Sequence, residues 1–463
     1  MLKHQIKSLL KRARCYWHNR QLVKKKDVRS TEDYVDVGRV HDGKIILLAI
    51  DALTWRVMDP LLAQGRLPCL RSLIAGGSYG PLKTLCPALS PELWNSIGTG
   101  KLPKKHGIEG FMARDPKTKK LVPYTSNMRR CKTIWEILGD YNKKVGVVGW
   151  WNSWPAEPVN GSIVSGIVGY KGKDLESVAS GHEFVEFTRK SRLTASSHHQ
   201  QTYPESLFEE IKPFIRPAER LEDGHDFIKR RWADVDALNQ LERAGLKLIT
   251  SVYNIDRTYK DIAKYIYEVS RPDFLTFYVA GIDVAGHKCW AHMEPERFSK
   301  PPPSSKIKIL GSLIEDYYAF VDEMIGEFMN LADSDTTIAV VSDHGMSPDD
   351  RLFRRTKINS AKHFNEDGIF VFVGPHIRQN HVVRGTVSVL DITPTLLRMI
   401  GLPVAGDMDG RAIEDVLTAQ FRSENPLKYI SSYDKGRKYT DAPLESPVDE
   451  EIKERLRSLG YIE

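Results

Sequence analysis

The chain has 463 residues, of which 41% are hydrophobic and 27% charged; this is an ordinary globular composition, not that of a fibrous or disordered chain. Its formal charge of +7 is concentrated at one end: residues 1–26 carry nine basic side chains and no Asp or Glu, which leaves −2 for residues 27–463. A body so near neutral predicts no nucleic-acid-binding domain.

Along the arm, residues 1–40, Leu2, Ile6, Leu9, Leu10, Ala13 and Trp17 recur at helical spacing, with basic residues on the other faces. Such a helix can make peripheral contact with an anionic membrane through residues 1–26; a solvated tail, or a helix docked on the body, is the equal alternative. The arm lacks the apolar stretch of a signal peptide, and no run reaches the ~18 apolar residues of a membrane span. The five cysteines are odd in number, widely spaced and free of any CxxC pair. Neither a disulfide framework nor a thiolate zinc site is expected, and the location read from this is cytoplasmic, a reducing compartment, with peripheral membrane contact through the arm.

The body, residues 44–422, opens on Lys44-Ile-Ile-Leu-Leu-Ala-Ile50, a near-continuous apolar run of the kind that is buried on both faces of a sheet. Similar runs are Val145–Val148, Phe274–Val279, Thr337–Val341 and Ile369–Val373, with helical patterns between them at 58–75, 306–331 and 391–400. Strands alternating with helices predict an α/β fold: a mostly parallel central sheet with helices on both faces. Residues 171–270 are polar, rich in His and Arg, and end in a helical pattern from about Phe227 to Tyr267; they read as a helical, polar cap insertion. Residues 299–305 read as a stiff Pro-rich linker, and 423–463 as a polar tail ending in a short amphipathic helix over 448–459.

Ligand-type residues come directly after the buried runs. Asp51 follows the first, Asp283 and His287 the third, Asp343 and His344 the fourth, and His363 lies in the loop before Ile369. In parallel α/β sheets, sites form beyond the carboxyl ends of the strands. Three Asp and three His without thiolate suit zinc, or manganese where oxygen ligands dominate, and two such metals about 3.5–4 Å apart can clamp both oxygens of a phosphoryl transfer.

Ser90-Pro91-Glu92 reads as a helix start, with Ser90 as N-cap and Pro91 as the first helical residue. Ser90 is then either a cap alone or a nucleophile, since a helix N-terminus favours negative charge on an alkoxide or a phosphoryl group.

As an ordered set these stretches resemble the type I phosphodiesterase/nucleotide pyrophosphatase family of the alkaline phosphatase superfamily, from about Lys44 to Leu417. The matching segments are Leu47–Asp51, Ser90–Trp94 with Thr99-Gly100 and His106–Ile108, Asp283–His287, Ser342–Met346, His363, Asp391–Leu397 and Asp407–Gly410. The resemblance implies one metal held by Asp283, His287 and His363, a second by Asp51, Asp343 and His344 with the Ser90 oxygen beside it, and attack by Ser90 to give a phosphoseryl intermediate. The implied substrate is a small phosphate ester, and the implied cofactors are two divalent ions, Zn2+ or Mn2+. Trp94 and Asn95 are taken as candidate substrate-binding residues. Sulfatase relatives fit less well, because Ser90-Pro-Glu-Leu-Trp lacks their C/S-x-P-x-R segment. The alternatives are a transferase of phosphoryl headgroups on the same scaffold and a non-enzymatic metal-binding protein that retains the fold.

Overall fold

The computed structural model of the chain describes residues 13–23, 43–168, 200–216, 226–357, 359–363, 366–444, 449–459 and 462. Nine strands form one sheet: β1 Lys44–Ile50, β2 Ser78–Leu82, β3 Val145–Val148, β4 Gly161–Val164, β5 Thr202–Tyr203, β6 Phe274–Val279, β7 Thr336–Val341, β8 Gly368–Val373 and β9 His381–Val382, in the spatial order 9-2-8-7-1-6-3-4-5. The central run from β7 through β1, β6 and β3 to β4 is parallel, and antiparallel pairs flank it, β7 with β8 and β4 with β5. The fold is thus a mostly parallel sheet with helices around it. All five apolar runs are strands; β2, β4, β5 and β9 lack so continuous a run, Pro81 and Gly80 interrupting β2.

Register decides where the chemistry goes. Ile50 pairs with Val279, and Ala49 pairs with Val341, so the three central strands end level with one another. Asp51, Ala280 and Ser342 therefore leave the sheet side by side, and the chain after each delivers its polar side chains to one edge.

The helical pattern over 58–75 is two helices, α1 Trp55–Ala63 and α2 Pro68–Gly76. Gly65, at φ 76°, and Pro68 at the start of α2 break it. The pattern that begins at Phe227 is interrupted as well: a helix over Asp226–Ala233 ends before Asn239, whose side chain and that of Glu242 form a capping box that starts a new helix. After α3 Ser90–Thr99, this new helix is α4 Gln240–Ser270, packed directly on β6 and β3. Residues 171–199 and 217–225 of the expected insertion lie outside the described residues. The long helices α5 Gly281–Met293 and α6 Leu313–Leu331 pack on each other, α7 Ile392–Ile400 supports α3, and α8 Asp449–Leu459 closes the described chain. Residues beyond 422 pack on the body: Tyr429–Ile430 pairs with Val404–Ala405, and Asp434 accepts from Lys101 at 2.5 Å.

The cysteine expectation is overturned. Cys15 and Cys86 form a disulfide across 71 positions, while Cys69, Cys131 and Cys289 are free. Nothing in the spacing could reveal a pair set by tertiary contact, and a reducing compartment ordinarily keeps such a bond open. Residues 13–22 are helical and docked beside the Ser90 loop. Asn19 brackets the Cys86 backbone with two hydrogen bonds of 2.8 Å, His18 meets the Thr84 carbonyl, and Leu22 is buried. Residues 1–12, the rest of the expected arm helix, lie outside the described residues. Among the described residues, no helix is long and apolar enough to cross a membrane. Titration of the denatured, unreduced protein with a thiol reagent should find three reactive cysteines, rising to five after reduction; five without reduction would show that the Cys15–Cys86 bond is absent.

Candidate active site

Asp51 emerges from β1 with one carboxylate oxygen tied. Its Oδ2 accepts from the Tyr278 hydroxyl at 2.5 Å and from the Trp94 indole at 3.4 Å. Its Oδ1 has no hydrogen-bond partner and lies 3.2 Å from His344 Nε2, itself an unpartnered buried atom. Both oxygens of Asp343 are likewise buried without partners, and Oδ2 is 3.6 Å from His344 Nε2. Buried polar atoms are ordinarily satisfied. Four that converge without protein partners, from Asp51, Asp343 and His344, are the mark of a cation site, and these three residues offer ligand atoms within 4.8 Å of one another.

The second set stands beside it. His363 Nε2 lies 3.1 Å from Asp283 Oδ1 and 2.7 Å from His287 Nε2, and His287 Nε2 is 3.6 Å from the same Asp283 oxygen. Asp283, His344 and His363 also bring ligand atoms within 4.8 Å. His344 therefore sits between the two groups, its ring stacked on that of His363 with centroids 4.0 Å apart. All six side chains are buried. Burial holds His344 and His363 down at about 4, with His363 also lowering His344, and drives His287 well below its ordinary value. The rings are neutral at neutral pH, which is the form that ligates metals. Burial, and then the neighbouring Asp51, pushes Asp343 well above the carboxylate range. A divalent cation would offset the cost of these buried carboxylates, so the donor set fits one.

Ser90 opens onto the same cleft as Asp51 and Asp283. It is the first residue of α3 rather than its cap; Leu89 occupies the cap position and no side chain caps the helix. Its loop is held on one side by residues 15–19 and on the other by His363, which hydrogen-bonds the Ala88 backbone. The end of α3 and the residue after it are tied down by the late segments: Thr393 donates to Ile97 O, and Asp409 N and Gly410 N donate to Gly100 O.

Two expected substrate contacts lie elsewhere. Trp94 is fully buried behind Asp51 and packs edge-on against Trp150 and Tyr278. Asn95 is buried too, donating to Pro91 O and Asn152 Oδ1 and accepting from Arg129. The helix that carries them is buried along its whole length, and neither side chain lines the cleft. Trp150, Trp151, Asn152 and Trp154 do line the cleft.

Sequence reasoning missed the residue that aims α5. Asp256, inside α4, accepts from Ala280 N at 3.0 Å, Gly281 N at 2.9 Å and the Tyr317 hydroxyl at 2.7 Å. It satisfies the first free amides of the helix that carries Asp283 and His287. Gly281 leaves no room for a side chain, since a Cβ there would lie 1.8 Å from the Tyr317 oxygen. An Asp in the middle of a long amphipathic pattern was the available signal: a buried carboxylate in a helix interior needs partners.

The type I phosphodiesterase/nucleotide pyrophosphatase family model matches residues 45–399. The chain belongs to this family. Among curated proteins, arylsulfatase K of Canis lupus familiaris is 30% identical over 123 residues and that of Gallus gallus 31% over 122; these are 25% and 24% of this chain, and the chain spans only 22% of either relative. Among solved structures, the alkaline phosphatase PafA is similar with a TM-score of 0.50 at 14% identity, over 82% of this chain and 100% of that one. Murine ectonucleotide pyrophosphatase/phosphodiesterase 5, as an inactive variant in complex with AMP, has a TM-score of 0.47 at 12% identity, over 81% and 100%. The PafA likeness is one of fold.

Asp256→Ala is expected to strand two backbone amides and cost about 2–4 kcal/mol. It should also weaken zinc binding at the Asp283 group, although Asp256 is not among the candidate ligands. Calorimetric melting and zinc titration check this; a variant with wild-type zinc affinity would show that α5 is aimed by other contacts.

Proposed function

We propose that the protein is a two-metal phosphodiesterase working through a phosphoseryl intermediate on Ser90. The reading is carried by one observation: Ser90, at a helix start, opens onto the same cleft as two adjoining Asp/His groups whose buried donor atoms converge. Asp51, Asp343 and His344 would hold one ion, and Asp283, His287 and His363 the other, zinc or manganese by donor type. When bound, such ions supply Lewis acidity to the attacking and leaving oxygens.

The chain's own part is positional. The Ser90 oxygen forms a bond to phosphorus as the ester P–O bond breaks, and the leaving alcohol takes up a proton. Water then cleaves the Ser–O–P bond, returning a proton to the serine. The helix dipole at the start of α3 favours the negative charge that gathers there. The Tyr278 hydroxyl fixes the orientation of Asp51.

Charge favours a diester. A monoester dianion calls for an added cation, typically an Arg fork. Among the described residues no Lys or Arg lines the cleft. Arg129 is spent on Asn95, Asn152 and Glu157; Lys101 is buried on Asp407 and Asp434; Lys288 turns to Asn359 and Ser458.

For the arm we also propose contact with an anionic membrane. Tyr16 and Trp17 are 55% and 60% exposed on the docked segment, and amphipathic aromatics beside basic residues suit such an interface. Sedimentation with anionic vesicles that is equal for wild type and Trp17→Ala would refute it.

With zinc or manganese loaded, kcat/KM on bis(4-nitrophenyl) phosphate should exceed that on 4-nitrophenyl phosphate. Ser90→Ala should lower it by more than about 10^3-fold without a capping penalty, because Ser90 caps nothing. Turnover near wild type in the folded variant would remove Ser90 as nucleophile. A faster monoester under both metals would overturn the diester preference and leave the nucleophile standing.

A further inference from the structure

Part of the cleft wall comes from the far end of the described chain. Ile452, Leu456 and Leu459 fall at i, i+4 and i+7 of α8, on one face, and all three line the cleft that holds Ser90, Asp51 and Asp283. Ile452 packs on the small cluster of Trp154 and Ile167, and Leu459 joins the main core.

The helix end is clamped by the segments that carry the ligands. Lys288, next to His287, donates to Ser458 O, and Asn359, four residues before His363, donates to Leu459 O at 2.8 Å and accepts from Lys288 at 2.9 Å. Carbonyls at a helix C-terminus need such donors and favour a cation there, so α8 is seated by the active-site framework itself.

Facing α8 are Trp150, Trp151 and Trp154. Their indole N–H groups are buried and have no hydrogen-bond partner among the described residues. The cleft thus combines apolar walls, a few donors without acceptors and, among the described residues, no lining cation. Asp449, at the start of α8, adds an acid at its border. A polyanionic substituent would meet no compensating charge in it, whereas an apolar group bearing an ester or ether oxygen would bury its chain and occupy a donor.

We propose that α8 is the specificity wall of the active site, and that it selects phosphodiesters whose far ester group is uncharged and largely apolar. The inference rests on the diesterase reading above and assigns Ile452 and Leu456 as the residues that make the selection.

The test uses the full-length, zinc- or manganese-loaded protein and two alkyl probes, hexyl methyl phosphate and dimethyl phosphate, whose binding is followed by tryptophan fluorescence. Wild type should bind the hexyl ester about tenfold or more tightly, and Ile452→Ser/Leu456→Ser should bring the two probes to within about threefold. Circular dichroism establishes folding, and Leu456→Ala alone, expected to lose part of the preference, replaces the double variant if that fails to fold. No hexyl preference in wild type, or a preference retained in the folded variant, overturns the wall. Displacement of the hexyl ester by AMP at lower concentration than by dihexyl phosphate overturns the apolar selection. Turnover of bis(4-nitrophenyl) phosphate, run alongside, separates the two readings. Its absence under both metals overturns the diesterase reading and this inference with it, while turnover without hexyl preference overturns this inference alone.

Discussion

Carboxylates do not enter a protein interior without compensation, and here Asp51, Asp283 and Asp343 are buried within one small volume among three neutral imidazoles. The cost of that arrangement organises the structure around it. The sheet is registered so that three strand ends stand level, Asp256 ties the start of α5, and the antiparallel pairing of Ser347–Pro348 with Ala361–Lys362 anchors the chain just before His363. Each device acts on backbone position and leaves the ligating atoms free of protein hydrogen bonds where Asp343 and His344 are concerned. At Asp343, His344 Nε2 and Asp51 Oδ1 the donor atoms are left to a cation, since no described residue hydrogen-bonds them.

The support behind these side chains is aromatic and dense. Trp94, Trp135 and Trp150 stack edge to face, and Trp94 and Tyr278 together hold one oxygen of Asp51. That packing keeps Trp94 and Asn95, so near Ser90 in sequence, out of the cleft lining: Trp94 holds Asp51, and Asn95 holds Asn152, which does line the cleft. The same logic disposes of Lys101 and Lys105, whose charge is absorbed by the 407–410 turn and Asp434.

Much of the fold was legible because buried parallel strands write a simple pattern. Lys44–Ile50 or Phe274–Val279 admits almost no polar residue, and the residues just past the end of such a run lie at the sheet edge. Asp51, Asp283, His287, Asp343 and His344 could be read as candidates from that rule, whereas His363 precedes its run and is read from the resemblance and from a loop that could fold over the same edge. The short strands could not, since β5 and β9 have two residues each and β2 contains Pro and Gly. The Cys15–Cys86 pair, the Asp256 anchor and the seating of α8 were invisible for a shared reason: each joins positions 25 to 170 residues apart, and neither partner has a local pattern that names the other. Leu89 in place of Ser90 as the cap was a one-residue matter of backbone geometry.

The closeness of Gly281 to Tyr317 makes these two positions heritable only as a pair. A methyl at 281 would overlap not only the phenolic oxygen but also the ring carbons, at 1.9 and 2.4 Å, so trimming Tyr317 to Phe would not relieve it. A change at either position alone strips a hydrogen bond from Asp256 or drives α5 away from it, and Asp283 and His287 move with that helix. Drift at the strand-to-helix turn is thereby locked to drift in α6, an epistatic constraint imposed by contact between two residues outside the candidate ligand set.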